Sequence, residues 1–225
     1  MKILLVSATE LEIRELLLFF KKVRKLNGFL TRYTYADYRI DVLITGVGMV
    51  QTAVFTTLYL QKYRYDVAIN AGIAGSFNKN LAIGEVCNVT SDYFPELGAE
   101  SPQGFLSIID LKLLNANDFP FTDGKIINTS IFDSQLLKQV TEVSGVTVNK
   151  SHGKSRHIKQ FLSTNPVDLE SMEGAAFMYV AKLYGIRFMQ VRSISNYIET
   201  RDTSTWNIPL AVKNLNEFIL NLLNE

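Results

Sequence analysis

The chain has 225 residues, 47% of them hydrophobic, with 23 basic against 22 acidic side chains and a net charge of +1. That is enough apolar chain for one sizeable core, expected as one domain over residues 1–225, and the even charge balance excludes a general field for nucleic acid or an anionic membrane. A single cysteine, Cys87, excludes an intrachain disulfide and a cysteine-only zinc site; it suits a reducing cytoplasm and is expected as a small buried residue in a strand.

Met1 to Ala8 carries one basic residue and is too short for a signal segment, and no apolar run approaches the roughly eighteen residues of a membrane helix. A cytoplasmic protein with a small-molecule partner is expected, binding neither nucleic acid nor membrane.

Lys2 to Ser7 reads as a buried strand. Thr9-Glu10-Leu11-Glu12 then opens a helix through Ile13, Leu16, Leu17 and Phe20. Strand followed by helix suggests an α/β protein, and in open α/β sheets ligands sit beyond the carboxyl ends of strands, where Glu12 lies. Glu10 and Glu12 can equally serve only to favour the helix N-terminus. Phe29 to Ala36 and Tyr38 to Thr45 form a hairpin pair turning near Asp37. The second strand ends in Gly46-Val47-Gly48, before a helix through Val50, Val54, Leu58 and Tyr59. Two glycines there let backbone amides approach an anion or a sugar, with a simple tight turn as the alternative.

Tyr65 to Asn70 is the next strand, followed by Ala71-Gly72-Ile73-Ala74-Gly75, a small-residue wall over which a flat base can lie. Gly84 to Ser91 is another strand, and Asp92 to Thr122, rich in Pro, Gly and acidic residues, is expected as irregular structure over a site or at a subunit interface. Phe132 to Val143 reads as a helix and Gly145 to Asn149 as a strand. His152 and His157, five residues apart without cysteine or a carboxylate cluster, fit no common zinc motif.

From Leu169 to Asp202 the chain joins a helix to a strand. Met172 and Glu173 stand at the mouth of a helix through Phe177, Val180, Ala181 and Tyr184, which Gly185 stops. Ile186 to Ile194 is an apolar strand holding Arg192, and it empties into Ser195, Asn196 and Tyr197. A core-facing helix from Trp206 to Leu223 follows, with Ile208, Ala211, Val212, Leu215, Phe218, Ile219 and Leu222 on one face.

Met172-Glu173 on a helix, followed by Val191-Arg192-Ser193-Ile194-Ser195-Asn196 at a strand end, resembles the nucleoside phosphorylase and nucleosidase family, which cleaves purine N-glycosidic bonds. The likeness runs over nearly the whole chain and is weakest between about Phe94 and Ile131. It implies a three-layer α/β/α domain with a mixed, partly barrel-like central sheet. It also implies a purine nucleoside and water as ligands, no metal or cofactor, and homo-oligomers whose neighbouring subunit can complete the pocket.

Residue by residue, the resemblance makes Glu12 the general base and Ala74 and Gly75 base contacts. It places Glu173 on the 2′ and 3′ hydroxyls, with Met172 against the sugar. Ile73 departs from the family, standing where the methylthioadenosine-type members have a serine near the attacking water. Asn196 departs too, since relatives acting on 6-aminopurines carry aspartate. An amide presents one donor and one acceptor group and suits a 6-oxopurine, its NH2 donating to O6 and its oxygen receiving a proton-bearing N7. Arg192 can fix the water and Glu12, or be an internal ion pair with Glu12 or Glu173. Arg201 can pair with a carboxylate on the substrate while Tyr197 or Trp206 stacks on a ring, or form a solvated turn pair with Asp202. His152 can line the base pocket or lie on the surface. Several basic groups together would favour phosphate as nucleophile; Arg192 alone favours water.

Overall fold

Consecutive rather than alternating apolar residues mark the central strands, because helices cover both faces of the sheet. In β1 (Lys2–Ser7), Ile3 and Leu5 pack into one core with α1 (Glu10–Leu17) and α5 (Ile208–Leu222), while Leu4 and Val6 pack into a second with α2 (Met49–Lys62) and α4 (Gly174–Leu183). Three layers result, as expected. The computed structural model describes residues 1–102 and 104–225.

β1 runs parallel to both β4 (Tyr38–Ile44) and β5 (Val67–Ser76). β4 pairs antiparallel with β3 (Leu30–Tyr35), the expected hairpin, and β3 with the edge strand β2 (Lys21–Lys25). β2 is exposed throughout and carries four cations, which discourage strand addition at the open edge.

On the other side, β5 runs parallel to β12 (Phe188–Tyr197), each ten residues long. β12 pairs with β6 (Val86–Asp92), β6 with β10 (Thr141–Thr147), and β10 with β11 (Leu169–Ser171). β11 then returns to β5 through Leu169 opposite Ser76 and Glu170 opposite Gly75. These five strands close into a small barrel, and each contributes to the cluster of Ala74, Cys87, Val89, Val143, Leu169 and Ile194 inside it.

Two expectations are corrected. Ala71 to Gly75 is not a wall beyond the strand but part of β5, paired with β12 through Ala71 opposite Val191 and Gly75 opposite Asn196. Phe132 to Val143 is not a helix: only Leu137–Gln139 forms a 3₁₀ turn, and Thr141 already belongs to β10. Phe132, Leu136, Leu137 and Val140 do face a core, but as an irregular segment laid against it. The stretch around His157 forms α3 (Ser155–Thr164). Between Asp92 and Thr122, Gln103 lies outside the described residues; the rest includes the hairpin of β7 (Gly98–Ser101) and β8 (Gly104–Ser107). With α3 this segment surrounds an open cavity of about 1040 Å³, lined by Tyr93, Phe94, Glu96, His152 and Phe161 among others.

Candidate active site

Thr9 starts α1 with extended backbone (φ −133°, ψ 152°), and it forms a capping box with Glu12. Glu12 Oε2 accepts from Ser7 Oγ at 3.1 Å, Thr9 N at 2.9 Å and Thr9 Oγ1 at 3.0 Å. Its Oε1 accepts from Ile73 N on β5 at 3.1 Å. Four donors thus fix a carboxylate that is only 8% exposed. The backbone of Ile73, rather than a side chain, supplies the contact from β5.

Gly72 brings Arg192 to the same place. A Cβ there would lie 2.8 Å from Glu12 Oε1 and 3.0 Å from Arg192 Nη1, so both groups rest on bare backbone. Arg192 is 2% exposed; it donates to Asn70 Oδ1 and, at 3.4 Å, to Val191 O, while its Nε has no partner. It forms no direct ion pair with Glu12 or Glu173 among the described residues, which corrects the paired alternative. The guanidinium turns along the sheet to Asn70 instead, and its charge reaches Glu173 through space.

Glu173 is the N-cap residue of α4. Its Oε1 accepts from Gly48 N at 2.9 Å and its Oε2 from Met172 N at 3.3 Å. Gly48 offers that N–H from a left-handed backbone (φ +106°) which side chains disfavour. Burial raises the Glu173 carboxyl above its ordinary range; the Arg192 charge and the Gly48 N–H oppose the rise, and the Glu12 charge adds to it.

Asn196 follows a β-bulge. Ile194 faces Ala74 and Asn196 faces Gly75, so Ser195 is the extra residue, and Asn196 leaves the barrel wall while Ile194 stays inside. The Asn196 amide, 8% exposed, accepts from Ser195 Oγ at 2.8 Å and donates to Tyr197 O at 3.0 Å. A Cβ on Gly75 would lie 2.4 Å from Ile198 Cδ1 and 3.3 Å from Asn196 Nδ2, so glycine here lets both side chains lie over the strand. One carboxylate held by four donors, a second raised by burial, and an amide across a bare strand are gathered around the carboxyl end of β5.

Residues 2–224 match the family profile described as "Phosphorylase superfamily". The chain belongs to the phosphorylase superfamily. It is 28% identical over 206 residues to the 5′-methylthioadenosine/S-adenosylhomocysteine nucleosidase of Tolumonas auensis, covering 82% of either chain. It is 28% identical over 177 residues to the futalosine hydrolase of Acidothermus cellulolyticus, covering 78% of this chain and 71% of that one. The fold matches the native structure of futalosine hydrolase of Helicobacter pylori strain 26695 with a TM-score of 0.77 at 18% identity, over 99% of this chain and 97% of that one.

Within this phosphorylase-superfamily fold the other expected residues are placed unevenly. Met172 adjoins Glu173 and holds it by its backbone. Gly75 underlies Asn196, but the Ala74 methyl points into the barrel, and its carbonyl accepts from Ser195 Oγ at 3.2 Å. Gly46 donates to Ala8 O at 3.0 Å and is covered by Gln51, leaving the contact with Glu173 to Gly48. Tyr197 turns away, its hydroxyl donating to Leu81 O at 2.9 Å and its ring beneath Lys79 Nζ at 4.2 Å. Arg201 is exposed, with its guanidinium 4.9 Å from the Trp206 ring centre; Asp202 instead caps Ser204.

His152 is not a surface residue: its side chain is 12% exposed and bound to Glu170, itself 4% exposed. Glu170 escaped the sequence reading, although alternation along Leu169-Glu170-Ser171 puts it on the outer barrel surface. Gly48 and Asn70 escaped as direct partners of Glu173 and Arg192, because nothing local encodes those contacts.

Proposed function

We propose that the protein is a purine nucleosidase that hydrolyses futalosine, releasing hypoxanthine and dehypoxanthine futalosine in menaquinone biosynthesis. The observation that carries the 6-oxopurine reading is Asn196: an amide, not a carboxylate, faces Gly75 on the outer barrel surface. Its NH2 donates to O6, and its oxygen accepts the N7 proton that the leaving base takes from solvent. That second bond forms as the glycosidic bond breaks, so it lowers the barrier rather than tightening ground-state binding.

Glu173 accepts the ribose 2′ and 3′ hydroxyls, and its charge favours the oxocarbenium-like state. Glu12 takes a proton from the water that attacks the anomeric carbon, with Arg192 fixing the pair; the C1′–N9 electrons leave with the base. Arg201, backed by Trp206, suits the benzoate carboxylate of futalosine. The resemblance to a methylthioadenosine/adenosylhomocysteine nucleosidase supports a second reading, in which adenine is released.

Base release from futalosine, inosine and methylthioadenosine, each with and without phosphate, tests these readings in wild type and Glu12→Gln. Phosphate-independent hypoxanthine from futalosine alone is expected, reduced about 10²- to 10⁴-fold in Glu12→Gln. Adenine from methylthioadenosine would overturn the Asn196 argument. Phosphate dependence would mean a phosphorylase, and binding without turnover a nucleoside sensor.

A further inference from the structure

Glu173 stands at the N-cap of α4, where a side-chain oxygen ordinarily accepts the N–H two or three residues further on. Its side chain makes no such bond. Each carboxylate oxygen instead takes one backbone N–H from outside the helix, Gly48 N on Oε1 and Met172 N on Oε2. A carboxylate oxygen has more than one lone pair, so acceptor capacity remains on both.

Other residues cap the helix from beneath. Thr147 ends β10 and Ser171 ends β11, and the two lie opposite each other in the parallel pair. Thr147 Oγ1 accepts from Ala175 N at 2.7 Å, and Ser171 Oγ accepts from Gly174 N at 3.2 Å. Ala175 is the second residue of α4, so Thr147 takes an N–H that the N-cap side chain would otherwise take. The Thr147 hydroxyl donates its own proton to Asp92 Oδ1 at 3.0 Å, which turns its lone pairs toward the helix. Asp92 is fully buried and Thr147 is 1% exposed, so this relay is closed to solvent. Gly174 admits the close packing: a Cβ there would lie 2.2 Å from Asp92 Oδ2.

We propose that Thr147, with Ser171, is a positioning residue that caps α4 in place of Glu173 and thereby frees the Glu173 carboxylate for the ribose hydroxyls. Without the Thr147 oxygen the Ala175 N–H is buried with no acceptor, and the N-cap carboxylate is drawn to it and away from the sugar. Thr147 thus acts on the substrate only through the end of α4. This rests on the purine nucleosidase reading, in which Glu173 accepts the 2′ and 3′ hydroxyls.

The test compares futalosine with 2′-deoxyfutalosine, and methylthioadenosine with its 2′-deoxy analogue, in base release and in calorimetric binding. The proteins are wild type, Thr147→Val, Thr147→Ser and Ser171→Ala. For whichever pair is turned over, wild type is expected to favour the ribonucleoside in kcat/KM by at least about 10-fold, because a site built to bond a hydroxyl rejects the analogue lacking it. Thr147→Val, close to isosteric, is expected to bring the pair within about 3-fold by slowing the ribonucleoside alone. Thr147→Ser keeps the oxygen and holds the wild-type ratio, and Ser171→Ala shifts the ratio in the same direction as Thr147→Val. Equal losses on both members of a pair in Thr147→Val would make the residue structural and overturn the proposal. An unchanged ratio in that variant, loss of the ratio in Thr147→Ser, or no preference in wild type would overturn it too. If Thr147→Val fails to fold by circular dichroism, Ser171→Ala decides, and an unchanged ratio there overturns the proposal. A ribonucleoside preference in binding that Thr147→Val erases, without any cleavage, would sustain the positioning role and remove the nucleosidase reading; no nucleoside binding at all would remove both.

Discussion

Asn196 holds two neighbours, and they define what a substitution there would do. A carboxylate at this position would face the Tyr197 carbonyl, now 3.0 Å from the donating Nδ2, with oxygen against oxygen. Only the protonated acid relieves that contact, and with its one O–H given to the carbonyl its other oxygen can accept the exocyclic amine of a 6-aminopurine. Asn196→Asp is therefore expected to lower kcat/KM for a hypoxanthine nucleoside and raise it for an adenine nucleoside, shifting their ratio by about 10²-fold or more. Chromatography of the released bases reads that ratio directly, and an unchanged ratio would remove Asn196 from base selection. At this scale the sequence was most informative where chemistry sits in a local pattern. Glu12 follows Thr9 at capping-box spacing, Glu173 precedes a small-residue helix start, and Asn196 ends a strand. Glu170 and His152 were obscured because the meaning of each depends on a partner 18 residues away.

Among the elements, α1 matters most to the chemistry and is held from outside. Asn216 of α5, 4% exposed, accepts from Leu16 N at 2.7 Å and donates to the Glu12 carbonyl at 2.7 Å, the two groups an i to i−4 helix bond would join. Asn216→Leu leaves both to find other partners and is expected to cost about 1–3 kcal/mol in urea denaturation. Because the grip falls on residue 12 itself, kcat should also fall, about 10-fold, with KM little changed. Lost stability with unaltered kcat would show that α5 supports the fold without positioning the base. Elements with local signals were legible: α5 starts on Asn207, whose side chain accepts from Leu210 N at 3.2 Å, and α4 stops before Gly185. β10 was legible only from Gly145 onward, because the apolar spacing ahead of it imitates a helix, whereas Thr141 and Val143 form a strand only once β6 flanks them.

For the whole molecule, the layers and mixed sheet were readable from the order of strands and helices, but closure of the barrel depends on pairing between distant strands. Asp92 lies buried where that barrel meets α4. Thr147 Oγ1 and Gln190 Nε2 donate to it at 3.0 and 2.9 Å, and with Gln190 it fills the space a Cβ on Gly174 would need. Burial lifts its carboxyl from 3.8 to about 6, against those two hydrogen bonds and the Arg192 charge. A folded value above the unfolded one means that this contribution is full below about pH 4 and lost as pH rises through about 6, a change on the order of 3 kcal/mol. Asp92→Asn should remove that dependence, so its stability relative to wild type should rise between about pH 4 and 7 in urea titrations. A difference constant with pH would mean that Asp92 titrates as an ordinary carboxylate.

The outer surface carries a second feature at this scale. Val47, Val50, Val54 and Leu58 are 49–70% exposed along the start and outer face of α2, while Thr52, Thr56, Tyr59 and Leu60 are buried. The expected apolar face of the helix thus points outward. It begins beside Gly48, which holds Glu173, so a second copy seated there would adjoin the proposed sugar site. A dimer is expected by light scattering, with Val50→Asp/Val54→Asp reducing the mass to one chain. A wild-type monomer would remove this interface.

The hydrogen bonds that assemble the site cross very long stretches of chain: 122 residues from Asn70 to Arg192, 125 from Gly48 to Glu173 and 204 from Glu12 to Asn216. Such contacts form only after large loops have closed, which makes folding slow relative to a helical bundle of similar size. During synthesis Glu12 emerges early but lacks its grip until Asn216 has left the ribosome. Partly made chains therefore hold the proposed general base without the contacts that fix it, and a nascent or truncated product is expected to be catalytically silent until the barrel closes.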